Sequence, residues 1–286
     1  MALFTSQILG PWTRRVVVLG GALALIGCSI PGPEASEAEM SAKLPHHALQ
    51  LPAGYALSYL EAGDAQGRLV IFVHGTPGDA EAWADYLMSV PKDFRYISVD
   101  RPGFGQSGPD DAVVSLAEQA KALAAIIRAK GGKPAVLVGH SLGGPIIAQL
   151  AVDAPDLVAA LVMVAGSLDP AQENVPFIQY VGDTWPVSAL LPRMMRNANR
   201  EIIALEPQLA ALAPRLASIH VPVTIVHGTK DDLVPFANVA FMKKHMTGTK
   251  TMEVTAIEGQ NHFLPWNSKP QVEAAIASAF QMTDRP

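Results

Sequence analysis

The chain contains one cysteine among its 286 residues, so an internal disulfide bond is excluded and the folded part must be held by core packing. Spacings typical of metal ligands, such as His-Glu-x-x-His, are also missing. Charged residues make up only 16% of the chain, and the net charge of -5 disfavours a nucleic-acid partner. We therefore predict neither a metal site nor nucleic-acid binding.

The glycine-rich loops lack the features of nucleotide binding. None of them carries a phosphate-cradling Lys-Ser/Thr pair, and none places Gly-x-Gly-x-x-Gly between a strand and a helix. The segment Gly103-Phe104-Gly105 is predicted to be a turn. We therefore predict no nucleotide cofactor.

The N-terminal apolar stretch, residues 16–26, is too short to span a bilayer comfortably, but it has the length of a signal-peptide core. Arg14 and Arg15 precede it. The residues directly before Cys28 are Leu-Ile-Gly, a sequence that resembles the lipobox of bacterial lipoproteins. We predict that residues 1–27 are a signal peptide and that Cys28 is lipid-modified and becomes the mature N-terminus.

A lipid anchor at Cys28 implies a bacterial cell-envelope protein that is membrane-anchored and faces the periplasm or the exterior. Residues 28–48 are rich in Pro, Ala, Ser and Glu and are predicted to form a flexible tether. A plain secretory signal with a coincidental Cys28 is the alternative. The Thr-Arg-Arg sequence at residues 13–15 also leaves a twin-arginine export route open.

Residues 139–143 read Gly-His-Ser-Leu-Gly, a Gly-x-Ser-x-Gly pentapeptide. The apolar run 135–138 predicts a strand before it and residues 145–150 predict a helix after it, so Ser141 is expected on a sharp strand-to-helix turn. Such a turn strains the serine backbone, while the glycines let strand and helix cross closely. The N-terminus of the helix stabilises developing negative charge. Ser141 is therefore the candidate nucleophile.

A serine hydroxyl needs a histidine as its base and an acid that orients the histidine. Asp231 follows the strand predicted at residues 223–228, and His262 follows the β-branched run 251–257. Catalytic groups of open parallel sheets gather at the carboxyl ends of the strands. We predict Asp231 as the acid and His262 as the base, with no cofactor required.

The order of serine, aspartate and histidine resembles that of the α/β-hydrolase superfamily, over about residues 50–284. Residues 74–78, His-Gly-Thr-Pro-Gly, are similar to its oxyanion loop, and residues 100–107 are similar to its turn after the next strand. The resemblance implies an α/β fold with a mostly parallel central sheet of about eight strands, helices on both faces and a small helical cap.

The resemblance also assigns further roles. The backbone N–H groups of Thr76 and Leu142 are expected to form the oxyanion hole, since Pro77 has no N–H to donate. Asp232 and Asp169 remain alternatives for the acid, Asp169 because some relatives carry it after the corresponding strand.

Other polar residues near the motifs are expected to be structural. His74 and His140 are expected to brace loops, and His227 to make a structural hydrogen bond at the end of its strand. Asp100 and Arg101 are expected to fix their turn.

We predict one folded domain over residues 49–286 with a cap at about residues 167–216, which reads as short helices. Part of the apolar surface of the cap is expected to line an acyl pocket above Ser141. Short apolar runs predict parallel strands at residues 69–73, 96–99, 135–138, 161–165 and 223–226. A helix is predicted to begin at a capping box on Ser115 and to end at Gly131.

The predicted activity is that of a serine carboxylesterase acting on apolar, small-molecule esters, without an obligatory protein partner. The serine argues against the haloalkane dehalogenase and epoxide hydrolase branches, which use a carboxylate. Lactone, thioester, amide and carbon-carbon bond hydrolysis remain alternatives on the same triad. A catalytically idle scaffold lipoprotein is the alternative outside enzymology.

Overall fold

The computed structural model describes residues 31–284, except for the side chains of Glu37 and Ser41. The predicted signal peptide, residues 1–27, and the predicted lipidation site at Cys28 lie outside this range. Within the described range, no helix combines the length and the hydrophobicity needed to cross a membrane.

One eight-stranded sheet forms the centre of the described chain, with the strand order β1-β2-β4-β3-β5-β6-β7-β8. Strand β2 is antiparallel to both of its neighbours, and every other neighbouring pair is parallel. The predicted α/β fold with a mostly parallel sheet of about eight strands is confirmed. The strands are β1 His46–Gln50, β2 Ala56–Gly63, β3 Arg68–Val73, β4 Phe94–Val99, β5 Ala135–His140, β6 Val158–Val164, β7 Val223–Gly228 and β8 Met252–Ile257.

Helices cover both faces of this sheet and create two cores. One core includes Leu137 of β5 and residues of α3, α4 and α8, whereas the other includes Val136 and Val138 of β5 with residues of α1, α2 and α10. Because both faces are covered, β5 is buried along its whole length. The helices are α1 Glu37–Lys43, α2 Ala84–Leu87, α3 Leu116–Ala129, α4 Gly143–Asp153, α5 Phe177–Asp183, α6 Val187–Leu190, α7 Arg193–Leu212, α8 Ala237–His245, α9 Leu264–Asn267 and α10 Lys269–Thr283.

The predicted limits of helix α3 are confirmed. The Ser115 side chain accepts a hydrogen bond from the N–H of Glu118 at 3.3 Å, which satisfies one of the free donors of the first turn. Gly131 follows the helix with a φ of +109°, a conformation that glycine adopts without steric cost.

The prediction of a flexible tether over residues 28–48 is wrong for its second half. Ser36 and Glu39 form a capping box that starts helix α1. Met40 and Leu44 are 3% and 4% exposed and belong to the core on that face of the sheet. The composition predicts a tether because alanine and glutamate occur in linkers as well as in helices. Two apolar residues, Met40 and Leu44, are too few to give a recognisable helical pattern.

The segment between β6 and β7, where the cap is predicted, contains α5, α6 and α7, and the last of these helices is long. Helix α7 has 20 residues, and its buried positions Ala198, Leu205, Leu209 and Leu212 follow helical spacing. Pro207 lies inside this helix without ending it. The expectation of short helices is met by α5, α6 and the 3-10 helix Pro170–Gln172, but α7 departs from it.

Helix α1 provides a test of the folded N-terminal segment. The substitution Met40→Ala should lower the free energy of unfolding by about 2 kcal/mol or more, because it removes a buried side chain and leaves a cavity. Lys43→Ala, at an exposed position of the same helix, is the matched control and should change stability by about 0.5 kcal/mol at most. Urea unfolding monitored by tryptophan fluorescence measures both. Equal stabilities of the two variants would mean that this segment is a tether after all.

Candidate active site

Ser141 lies on a strained turn between β5 and α4. Its φ is +54°, a conformation that is rare for a residue with a side chain. Its N–H donates to the carbonyl of Val164 at 3.0 Å, which ties the turn to the neighbouring strand. A Cβ added at Gly139 would lie 2.5 Å from the carbonyl oxygen of Gly143, so the crossing of strand and helix requires glycine. The predicted strand, turn and helix around this serine are all present.

Asp231 and His262 form a buried hydrogen-bonded pair at the carboxyl ends of β7 and β8. The Asp231 carboxylate lies 2.7 Å from Nδ1 of His262, and both residues are 6% exposed. The other carboxylate oxygen accepts from the N–H groups of Leu233 and Val234 at 3.0 and 2.7 Å. With Nδ1 donating to the carboxylate, the neutral imidazole presents Nε2 as a proton acceptor.

The three predicted residues share the same edge of the sheet, since each follows the carboxyl end of a strand. His140, directly before Ser141, connects the two sides of this edge. Its Nε2 lies 3.0 Å from the carbonyl oxygen of His262, and the two imidazole rings are 4.7 Å apart between centroids. The histidine loop is therefore fixed to the strand that carries the serine.

The other two candidate acids have different surroundings. Asp169 caps a short 3-10 turn by accepting from the N–H of Ala171 at 3.0 Å, and Asp232 is exposed. In the described chain, Asp231 is the candidate acid that contacts His262.

The loop at residues 74–78 approaches the serine closely. A Cβ added at Gly75 would lie 2.8 Å from Cβ of Ser141. Among the described residues, the N–H groups of Thr76 and Leu142 donate no hydrogen bond to a protein acceptor. Two free donors next to a nucleophile are what an oxyanion hole requires.

Burial lowers the pKa of three histidines around the site. Burial and the neighbouring Arg101 charge hold the pKa of His74 well below its usual value. Burial and His262 lower the pKa of His140 in the same way, and burial lowers the pKa of His227. His227 also bonds the carbonyl of Val234 at 2.8 Å, next to the Asp231 turn. These contacts are structural, as the sequence predicts.

Two side-chain contacts of the site were not predicted from the sequence. The Ser167 N–H donates to the carbonyl of Ser141 at 3.2 Å, and its hydroxyl bonds the carboxylate of Glu173. Burial raises the pKa of Glu173. Arg101 contacts Glu201 of the cap, 100 positions away in sequence. Nothing in the local sequence signals either pair.

Known proteins resemble this chain in sequence and in fold. The family model of the alpha/beta hydrolase fold matches residues 68–187. A dihydrolipoyllysine-residue acetyltransferase component of the acetoin cleaving system from Cupriavidus necator is 37% identical over 112 residues, which are 39% of this chain and 30% of that protein. A Klebsiella pneumoniae protein provisionally named carbamate hydrolase RutD is 28% identical over 222 residues, covering 65% of this chain and 82% of its own.

A crystal structure of a provisionally named aryl esterase from Burkholderia cenocepacia superposes with a TM-score of 0.67 at 22% identity. The match covers 83% of this chain and 98% of the esterase. The strand order and these matches show that the chain has the α/β-hydrolase fold, so the sequence-based recognition of this superfamily is confirmed. The family match and the hydrolases among the similar proteins support an enzyme of the hydrolase class on that fold.

The close approach of Gly75 to the serine is testable. Gly75→Ala should slow labelling of Ser141 by a fluorophosphonate about hundredfold, because the added Cβ must displace the loop or the nucleophile. Gly182→Ala is the matched control, since its added Cβ meets no atom closer than 3.6 Å. Circular dichroism checks that both variants fold. Unchanged labelling of Gly75→Ala would contradict the close packing.

Proposed function

We propose that this chain is a serine carboxylesterase that cleaves apolar carboxylic esters through an acyl-enzyme on Ser141. The observation that carries the proposal is the buried 2.7 Å contact between Asp231 and His262, on the edge where Ser141 occupies a strained turn. A strained serine beside a histidine base and an aspartate acid has no evident value for stability, which favours a catalytic role.

In the proposed reaction, His262 removes the proton of the Ser141 hydroxyl as the oxygen attacks the ester carbonyl. The alcohol leaves with the proton that His262 returns. Asp231 holds the imidazole in one tautomer and stabilises the imidazolium that forms. A water molecule, activated by His262, then hydrolyses the acyl-enzyme and releases the carboxylic acid. No cofactor takes part in these steps.

The proposed oxyanion hole consists of the N–H groups of Thr76 and Leu142. Both groups lack a protein acceptor in the described chain, so they remain available as charge develops on the carbonyl oxygen. Leu142 is also the first residue before helix α4, whose N-terminus favours negative charge. Preorganised donors of this kind usually supply the largest single contribution to the rate.

An apolar substrate is proposed from the surface of the cap. Phe177, Trp185 and Leu190 on and between α5 and α6 are 79%, 83% and 83% exposed. Such a patch attracts apolar acyl chains but does not select the bond that is cleaved. Lactones, thioesters, amides and carbon-carbon bonds are therefore the alternative substrates on the same triad.

The esterase proposal is tested with p-nitrophenyl esters of increasing acyl length. Turnover by the wild type should fall to background in Ser141→Ala and by about 10⁴-fold in Asp231→Asn, which keeps the shape of the acid but misorients His262. Equal rates in wild type and Ser141→Ala would contradict the proposal. Fluorophosphonate labelling without ester turnover would favour one of the other bonds, and no labelling of folded protein would favour the idle scaffold.

We also propose that Cys28 carries the lipid anchor of a cell-envelope protein. The N–H groups of Glu34 and Ala35 donate to the carboxylate of Asp85 at 2.8 and 3.2 Å, so the chain is bound to the domain from this point. The segment between Cys28 and Glu34 extends at most about 20 Å. The proposed anchor therefore keeps the domain close to the bilayer.

The anchor is tested by expressing the full chain in a bacterial host with labelled palmitate. The wild type should incorporate label and sediment with membranes, while Cys28→Ser should do neither, because the acylated thiol is gone. Ser29→Ala is the matched control and should behave as the wild type. Label in Cys28→Ser, or none in the wild type, would contradict the proposal.

A further inference from the structure

A buried ion pair connects the cap to the core beside the proposed oxyanion loop. Arg101 follows strand β4, and Glu201 lies on helix α7. Their contact is bidentate, with one guanidinium nitrogen 2.6 Å from Oε1 and the other 3.0 Å from Oε2. Arg101 is 0% exposed and Glu201 is 2% exposed. The pair lies entirely inside the protein.

The same guanidinium binds the loop that precedes Thr76. The nitrogen that contacts Oε2 of Glu201 also donates to the carbonyl oxygen of Gly75 at 2.9 Å. The backbone N–H of Arg101 donates to Nε2 of His74 at 3.1 Å, and Nδ1 of that histidine donates to the same Gly75 carbonyl at 2.7 Å. Two donors therefore hold one carbonyl oxygen.

That carbonyl shares a peptide plane with the N–H of Thr76. In a trans peptide the C=O and the N–H are coplanar and point in opposite directions, so fixing one fixes the other. The hydrogen bond from Arg101 thereby sets the direction in which Thr76 presents its N–H. An oxyanion donor depends on direction, because its bond weakens steeply as the angle departs from linearity.

Stability alone does not account for the pair. Desolvation of two charges offsets their attraction, and replacing a buried ion pair by apolar residues is often neutral or stabilising. Gln119 adds to the network by accepting from Arg101 at 2.7 Å and donating to Glu201 at 2.6 Å. The carboxylate is thus held in one orientation.

We propose that Glu201 is a positioning residue for the oxyanion hole, acting through Arg101 and the Gly75 carbonyl on the Thr76 N–H. This inference rests on the proposed esterase function. The cap then contributes to the chemical step as well as to the substrate pocket.

The main test is Glu201→Gln, which removes the charge and one acceptor but keeps the size of the side chain. We expect kcat on a p-nitrophenyl ester to fall about 10- to 100-fold while KM changes less than about threefold, since the lost interaction acts on the transition state. Affinity for a trifluoromethyl ketone, whose adduct places an oxyanion in the hole, should fall by the same factor. Affinity for the matching alcohol should not change.

Asn197→Ala is the matched control on the same helix. Asn197 is 0% exposed and donates to the carbonyls of Gly103 and Asp110, without a contact to Gly75. It should lose stability in urea while keeping kcat and ketone affinity. Wild-type kcat and ketone affinity in folded Glu201→Gln would overturn the inference, as would equal losses of ketone and alcohol affinity.

A double variant distinguishes the effect of where the carboxylate lies from the effect of its charge. It also provides a test if Glu201→Gln alone does not fold. The double substitution Glu201→Gln with Gln119→Glu moves the carboxylate to a side chain that contacts the Arg101 nitrogen not bound to Gly75. It should recover part of the stability in urea, because Gln119→Glu also removes the donor to the Val113 carbonyl, while kcat stays about tenfold or more below wild type. Full recovery of kcat would overturn the inference.

The Thr76 amide gives a readout that is independent of turnover. In ¹⁵N NMR spectra its signal should shift in Glu201→Gln and stay unchanged in Asn197→Ala. An unmoved signal in folded Glu201→Gln would overturn the inference. Absence of turnover and of fluorophosphonate labelling in the wild type would instead remove the proposed function.

Discussion

The close crossing of backbone at the end of strand β5 is the constraint on which the rest of the site depends. Ser141 adopts a positive φ there, helix α4 starts two residues later, and the Gly75 loop packs against the serine. Each of these approaches leaves no room for a Cβ at the neighbouring glycines. The serine is therefore held by backbone packing, and its position does not depend on its own side-chain contacts.

The buried charged groups at this edge are stabilised by specific partners. The Asp231 carboxylate receives two backbone N–H groups in addition to His262, and Arg101 is surrounded by acceptors from three separate segments. An unpaired buried charge would cost several kcal/mol, so these networks must form completely or not at all. The charged side chains are consequently held in defined positions where the chemistry is proposed.

Local patterns predicted much of the fold. The buried run of β5, the Ser115 cap and the glycine that ends α3, and the order of the motifs all depend on residues close in sequence. The fold of residues 36–44 was not predicted, because two apolar anchors, Met40 and Leu44, give little periodicity. The bidentate contact of Arg101 with Glu201 joins segments 100 residues apart, and no local rule indicates it. The catalytic assignments themselves remain predictions that geometry supports.

The ion pair between α7 and the core has a consequence for how such enzymes diverge. A cap that only covered the substrate could be replaced without disturbing the core. Here helix α7 supplies the counter-charge for a fully buried arginine. A replacement without an acid at the position of Glu201 would leave that arginine buried without its counter-charge. Helices α5 and α6, with their exposed side chains, do not contribute to this buried ion pair. Divergence of specificity should therefore be concentrated in the first half of the cap, while the second half is inherited with the core.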